Sequence, residues 1–537
     1  MYKQFRTSLS AFTQKQYNKD LSRFYFTDIT QKFLLEYIVY LERRGIEVVD
    51  REMVCPDDPQ HHDPERASVA LLELVEELKK VVGDRYVKTD EEYLEQYQTD
   101  EEGNPHFFKK PEVVVFPGTT EEVAEVVKLA NKFLVPITPR SAGTGVACGA
   151  IPIYHGMVVE LQRMNKILKL DADNFYAVCQ TGVFTGQLQA EARKAGVMYA
   201  GDPSSAESCQ IGGNVANNAG GNRAVRYGTT RDQIYALKVV TPTGDIVDVG
   251  ARLKKCSTGL CLEQLFAGSE GTLGIITEVT VKLRPLPPYS FNMVCVFNTD
   301  KEAFALPNKI LKAGIDPTSI EYMGNSAIDM TCKYLDNMDM PHVKEGCCYV
   351  IVTVESFDQD ESDRKMEKLC DLAEANGSID EFEADQRIWT LRKQFAEAAR
   401  DIDRMFQTED FVVPLDKIAE MTAQIPELEK KYNLYTVTVA HIGDGNIHVL
   451  PLNKYGLSPE EWFKTIKAFH ADLFPRVYAL GGKMSGEHGI GYKKLEEFAR
   501  CTPEGEVKLI KAIKQALDPN NIMNPGKLVD VNGDFVA

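Results

Sequence analysis

Nine histidines are spread over 537 residues, and two of them, His441 and His448, bracket one short turn-forming run, AHIGDGNIH. The surrounding text, TVTVAHIGDGNIHVLPL, reads as a strand, a turn at Gly443-Asp444-Gly445 and a second strand. Folded as a hairpin, it brings both imidazoles to its mouth. Downstream, SGEHGIG sets Glu487 and His488 between glycines, where a tight loop can aim adjacent side chains in different directions. His441, His448 and Glu487 make a three-ligand N and O set with an open position. Such a set suits Zn, Mn or Fe acting as a Lewis acid toward a substrate oxygen. These spacings are no universal metal signature, so hydrogen-bonded core or turn histidines are the rival reading at this level.

A second chemistry is written in glycine. RSAGTGVACGA (Arg140 to Ala150) is neither G-x-G-x-x-G with an acid twenty positions on nor a P-loop, because no G-K-[ST] follows. CQIGGNVANNAGGNRAVRYGTTRD (Cys209 to Asp232) carries two Gly-Gly pairs and four asparagines, and AGSEGTLGIITEVTVKL (Ala267 to Leu283) is a third tract. Small residues let the backbone approach a bulky ligand, and successive N–H groups form an anion nest suited to a pyrophosphate. Three such tracts exceed what loop closure requires, and a large dinucleotide accounts for them.

The elements that must position these residues alternate between helix and strand. Residues 65–83 form an amphipathic helix stopped by glycine. EVVVFPG is a strand, TTEEVAEVVKLANKF a helix opened by a Thr119–Glu122 capping box, and VPITP a strand running straight into RSAGTG. The glycine loop therefore stands at a strand end, where ligands bind in α/β units. After RPLPP the glycine density falls and SFNMVCVF opens new alternation, which puts the main boundary near 287. The expected division is an N-terminal extension (1–60), a dinucleotide-binding domain (61–287), a substrate or cap domain with the metal ligands (288–480), and a C-terminal segment (481–537) returning to the dinucleotide-binding domain. A helix is expected from about 504 to 517, followed by a DPNNIMNPG turn stop.

Bulk composition excludes some classes. A formal charge of −18 argues against nucleic acid as a partner. With 44% hydrophobic and 26% charged residues the chain resembles an ordinary enzyme. No signal peptide and no run of transmembrane length is present, so the expected location is the cytoplasm, with peripheral membrane contact left open. Twelve cysteines without a C-x-x-C disfavour a cysteine-built iron–sulfur cluster or four-cysteine zinc site; reduced, mostly buried thiols are expected.

RSAGTG, PSSAESCQIGGNVANNAGG and LFAGSEGTLGIITEVTVKL resemble the FAD-binding domain of the vanillyl-alcohol oxidase and p-cresol methylhydroxylase type, over roughly residues 70 to 535. The likeness is greatest to the D-lactate, glycolate and D-2-hydroxyglutarate dehydrogenase branch. It implies an α+β fold with a two-part FAD domain and an α+β cap. It further implies that Arg140, Ser141, Ala142, Gly143, Thr144 and Gly145 cradle the FAD pyrophosphate. Pro203, Ser204, Gly212, Gly213, Asn217, Gly220 and Gly221 would line the cofactor's other side. Gly271 and Ile276 would meet its adenine and ribose end, and Asn524 would close over it. Thr144 and the absence of histidine from 130 to 150 imply non-covalent FAD, His155 being the nearest alternative.

By the same resemblance, GDGNIH and SGEHGIG make His441, His448 and Glu487 the metal ligands and His488 the catalytic base. Ala440 departs from the glycine usual there. Arg392, in IWTLRKQF three residues after Trp389, would bind the substrate carboxylate through its bidentate fork; a surface salt bridge is the rival reading. Arg404 and Lys527 are weaker choices, and Tyr322 and Met323 suit core packing equally well. The implied reaction removes a proton from the 2-hydroxyl and passes hydride from C2 to flavin N5.

D-lactate is the favoured substrate because no second cationic cluster is evident. D-2-hydroxyglutarate or glycolate is the near alternative, and an alkyl-dihydroxyacetonephosphate-synthase-like flavoenzyme a distant one. Electrons would leave to a quinone, oxygen, an electron-transferring flavoprotein or an iron–sulfur subunit, and a homodimer is compatible with the chain.

Overall fold

Gly83, at φ 91°, stops the helix Pro64–Val82 where the sequence places its end. The computed structural model describes residues 64–336, 338–385, 387–529 and 531, so the N-terminal extension of residues 1–60 lies outside the described residues. Thr119 caps the helix Thr120–Phe133 by accepting from the Glu122 N–H, while the Glu122 carboxylate accepts from the Gly118 N–H at 2.6 Å. The reciprocal half of the box thus lands one residue earlier than expected.

Strands β1 (Val87–Lys88), β2 (Val113–Val115), β3 (Ile137–Arg140) and β4 (Met157–Glu160) form a four-stranded sheet in the order β1-β2-β4-β3. The β2–β4 and β4–β3 pairs are parallel, and the helix Thr120–Phe133 connects β2 to β3. The chain's last part returns here, since Ile137 donates to Ile522 O and Asn524 donates to Ile137 O.

A second sheet holds β5 (Ile167–Asp171), β6 (Tyr176–Gln180), β8 (Ile234–Val240), β9 (Ile246–Gly250) and β10 (Ile275–Lys282), in the order β5-β6-β10-β8-β9. The short β7 (Val197–Met198) pairs with β11 (Arg284–Pro285). The RSAGTG loop leaves β3, the helix Ile211–Asn217 carries IGGNVAN, and the third glycine tract feeds β10.

Beyond Pro285 the chain enters an antiparallel seven-stranded sheet. It contains β12 (Tyr289–Phe297), β13 (Ser319–Met323), β14 (Cys348–Ser356), β15 (Asp380–Glu383), β16 (Glu409–Val412), β17 (Tyr435–His441) and β18 (Asn446–Leu452). The order is β15-β12-β14-β13-β17-β18-β16. Alternate side chains serve two cores, as the period of two requires. Ile320, Tyr322, Ala440, Ile447 and Phe411 pack in one core; Met323, Val439 and Leu450 pack in the other, against Ile388, Leu391 and Phe395 of the helix Arg387–Ile402. Tyr322 and Met323 are thus core residues. The architecture is α+β: a two-part sheet domain and a separate cap. The helix Glu504–Leu517 has the expected bounds. All described cysteines are free, and only Cys256 and Cys261 are exposed.

Candidate active site

Strands β17 and β18 pair as a hairpin in which His448 stands opposite Val439 and His441 opposite Asn446. The two histidines are therefore diagonal neighbours on one face, with ring centroids 5.1 Å apart. Glu487 reaches them from the SGEHGIG loop. Its Oε1 lies 3.5 Å from His441 Nε2 and 3.3 Å from His448 Nε2. One ligand atom from each of these three residues fits within a 4.8 Å sphere of mutual distances, as a metal-binding set requires.

Each histidine has an acid directly across from it on the neighbouring strand. Glu321 of β13 pairs with His441, and Asp410 of β16 pairs with His448. Glu321 Oε1 is 2.7 Å from His441 Nδ1, an arrangement that fixes the neutral ring as the Nδ1–H tautomer and turns Nε2 toward Glu487. Neither acid was singled out from sequence. The available signal is acid set against an apolar strand, one in SIEYM and an adjacent pair, Glu409 and Asp410, in TEDFVVP, since a fully buried carboxylate must be paired.

Burial opposes charge on His441, yet the Glu321 and Glu487 carboxylates push it up to about 10. Burial, partly offset by Glu487, holds His448 down at about 4. Burial also disfavours the Glu487 carboxylate, but the two imidazoles keep it well below the usual carboxylate range. This cluster of one carboxylate and two imidazoles could hold a divalent ion.

His488 adjoins this cluster. Its Nε2 is 3.7 Å from Glu487 Oε1, its Nδ1 is 3.5 Å from Asp410 Oδ1, and its ring is tilted 5.2 Å from that of His448. Arg392 is buried at 2% exposure, which rules out the surface salt bridge. Its Nε and Nη2 donate to Glu321 Oε2 at 3.0 and 2.8 Å. Trp389, on the same helix, donates to Asn292 at 3.0 Å instead of entering the site. Lys527 is buried against Ile151 O and Asn524 Oδ1, outside the site, and Arg404 is exposed.

A single cavity of about 580 Å³ joins the glycine tracts to the histidines. Its wall includes the loop 140–145, Pro203, Ser204, Gly212, Gly213, Asn217, Gly220, Gly271 and Ile276, together with Arg392, His441, His448, Glu487 and His488. The missing side chains make the room. A Cβ on Gly213 would lie 3.3 Å from Ser141 Cβ, and one on Gly220 would lie 2.5 Å from Glu487 Oε2. Gly221 and Asn524 stand behind the wall: Gly221 packs on the Asp202 carbonyl, and Asn524 donates to Gly149 O and Glu270 O. Arg140 donates to Thr99 O at 2.7 Å and so braces the loop from below. His155 contacts Lys110 O at 2.7 Å, away from the cavity wall.

Two family models match in succession, the FAD binding domain over residues 111–250 and the FAD linked oxidase C-terminal domain over 286–528. A D-lactate dehydrogenase of Anaerostipes hadrus is 34% identical over 464 residues, covering 85% of this chain and 97% of that protein. The chain belongs to the FAD-linked oxidase family. A second member, a D-2-hydroxyglutarate dehydrogenase of Stutzerimonas stutzeri, is 31% identical over 85% of this chain and 98% of its own length. The fold of this FAD-linked oxidase matches that of p-cresol methylhydroxylase at a TM-score of 0.75 and 20% identity, over 87% of this chain and 98% of that one. It is an FAD-dependent oxidoreductase, and its fold is of the vanillyl-alcohol oxidase and p-cresol methylhydroxylase type. Among the described residues no helix is long and apolar enough to cross a membrane.

Proposed function

We propose that this chain oxidises a small D-2-hydroxy acid, D-lactate first among them, to the 2-keto acid, with non-covalent FAD and a divalent metal. The observation that carries the reading is the one cavity whose wall contains both the glycine tracts and the histidine, glutamate and arginine set. The names of the relatives, D-lactate and D-2-hydroxyglutarate dehydrogenase, point to the same substrate class. The division at 287 and 480 fits this reading, because the two carriers of chemistry then come from different domains and meet at their interface.

The wall from 140 to 145 and the glycines at 212, 213 and 220 would hold FAD, while His441, His448 and Glu487 would hold Zn, Mn or Fe. When bound, the flavin supplies the hydride acceptor and the metal a Lewis acid for the hydroxyl. Arg392, locked along one edge by Glu321, directs its remaining edge to the substrate carboxylate. His488 takes the hydroxyl proton on Nε2, the nitrogen that faces the ligand cluster. Its partial exposure leaves that proton a route to solvent.

Arg400 lines the same cavity, as does the exposed Lys393, and a distal carboxylate would seek such a cation. The Arg400 guanidinium is already engaged, by Glu101 at 2.8 Å and Glu397 at 2.8 Å. Electrons would then pass to an external acceptor, an electron-transferring flavoprotein, an iron–sulfur subunit or a quinone.

The test is flavin bleaching near 450 nm on adding D-lactate, L-lactate, glycolate and D-2-hydroxyglutarate in turn, with and without chelator. Bleaching by D-lactate that is lost on metal removal supports the reading. Bound flavin that answers to none of the four acids sinks it.

A further inference from the structure

The SGEHGIG loop carries both Glu487 and His488, yet it has no regular secondary structure of its own. Two buried carboxylates from different parts of the fold hold it. Asp410, on β16 of the cap sheet, takes three successive N–H groups on Oδ2: Gly486 at 3.0 Å, Glu487 at 2.8 Å and His488 at 2.8 Å. Its Oδ1 accepts from Lys494 Nζ at 2.9 Å and Ser485 Oγ at 3.1 Å. Glu270, from the third glycine tract, takes the next two available N–H groups, Ile490 on Oε1 at 2.7 Å and Gly491 on Oε2 at 2.6 Å. Asp410 is fully buried and Glu270 is 7% exposed.

We propose that Asp410 and Glu270 are positioning residues for the oxidation: one ties the loop to the cap sheet that bears His441 and His448, the other ties it to the FAD domain. Together they set where His488 and Glu487 stand between the two histidines of the cap sheet and the glycine tracts of the FAD domain. This rests on the roles given to His488 and Glu487 above. Within the loop Ile490 packs in the cap core, while its glycines leave no room for further side chains: a Cβ at Gly489 would lie 2.8 Å from Glu270 Oε1 and one at Gly491 would lie 1.8 Å from Ala147 O. Backbone N–H groups are what it offers, and carboxylates are the strongest acceptors for them. Every group bonded to these four carboxylate oxygens is a donor. The isosteric amide must therefore turn an NH₂ against an N–H or an ammonium.

The test compares the full-length flavoprotein with D410N and E270Q. Hydrogen–deuterium exchange is read on peptides spanning 484–492, flavin is counted per chain, and kcat and KM are measured with D-lactate. In D410N exchange should accelerate at 486–488, and in E270Q at 490–491. In both, kcat per bound flavin should fall about tenfold to a hundredfold with KM nearly unchanged, the cost of misplaced catalytic groups. If an amide variant does not fold, D410E or E270D keeps the charge while moving the oxygens, and the same fall in kcat is expected. Folded variants whose kcat per bound flavin matches the parent overturn the proposal. If the parent flavin answers to no 2-hydroxy acid, the functional reading fails by itself, and the exchange data decide the clamp: accelerated loop exchange upholds it and unchanged exchange rejects it.

Discussion

His441 and Arg392 are held by the two oxygens of one carboxylate. Glu321 Oε1 is 2.7 Å from His441 Nδ1, and Oε2 receives Arg392 Nε and Nη2 at 3.0 and 2.8 Å. The group proposed to bind metal and the group proposed to bind substrate thus share one fully buried anchor. A shift of Glu321 must disturb both.

Glu321→Gln should lower metal affinity and raise KM together. An amide cannot accept from both sides, so one partner is left facing an NH₂. Loss of such an outer partner typically costs about 10- to 100-fold in metal affinity. Metal content after dialysis, read beside KM for D-lactate, checks this. A change in KM with metal retention equal to the parent would show that the two sites are not coupled through Glu321. The harsher Glu321→Ala strands a buried guanidinium and should cost about 3–5 kcal/mol in a denaturant titration.

His488→Asn should retain flavin and metal yet reduce the flavin slowly. Removing a general base costs about 10²- to 10⁴-fold. Stopped-flow bleaching by D-lactate measures the chemical step directly. A rate within threefold, at most, of the parent (roughly 0.7 kcal/mol) would remove His488 from the proton-transfer role.

Metal uptake should strengthen with pH. His441 is pushed up to about 10 from an ordinary 6.5 in the metal-free protein, so its proton contributes stability below pH 6.5 that is lost as pH rises through about 10. A metal needs the neutral ring and must expel that proton. Between pH 6.5 and 9 the affinity should therefore rise about tenfold per pH unit, roughly 1.4 kcal/mol. His448, held at about 4, is already neutral in this window and adds no slope. Calorimetric titrations in two buffers of different ionisation enthalpy should report one proton released. A pH-independent affinity would contradict the assignment of His441 as a ligand.

Gly220→Ala should eject metal more readily than flavin. The new Cβ would lie 2.5 Å from Glu487 Oε2 and 3.0 Å from Glu487 Cβ, so the carboxylate must swing away from the histidines. Metal and flavin counts on the purified variant decide it. Full metal occupancy with lost flavin would mean that this glycine serves the cofactor alone.

What the sequence determined is local. The turn residues between His441 and His448 set a hairpin, and a hairpin's period of two puts both rings on one face without help from the rest of the chain. The glycine tracts declared a large dinucleotide for the same reason, because absent side chains are read directly from the letters. The helix bearing Arg392 was legible from its periodicity, and its burial was not. Only the tertiary structure supplied the partners. Glu321 is 120 residues from His441 and meets it because β13, rather than a neighbour in sequence, lies beside β17. Asp410 reaches the 486–488 amides because β16 is the edge strand next to β18, and Glu270 reaches the 490–491 amides across 220 residues. Strand order and register between distant segments depend on how whole faces pack, and no single stretch of the chain encodes them.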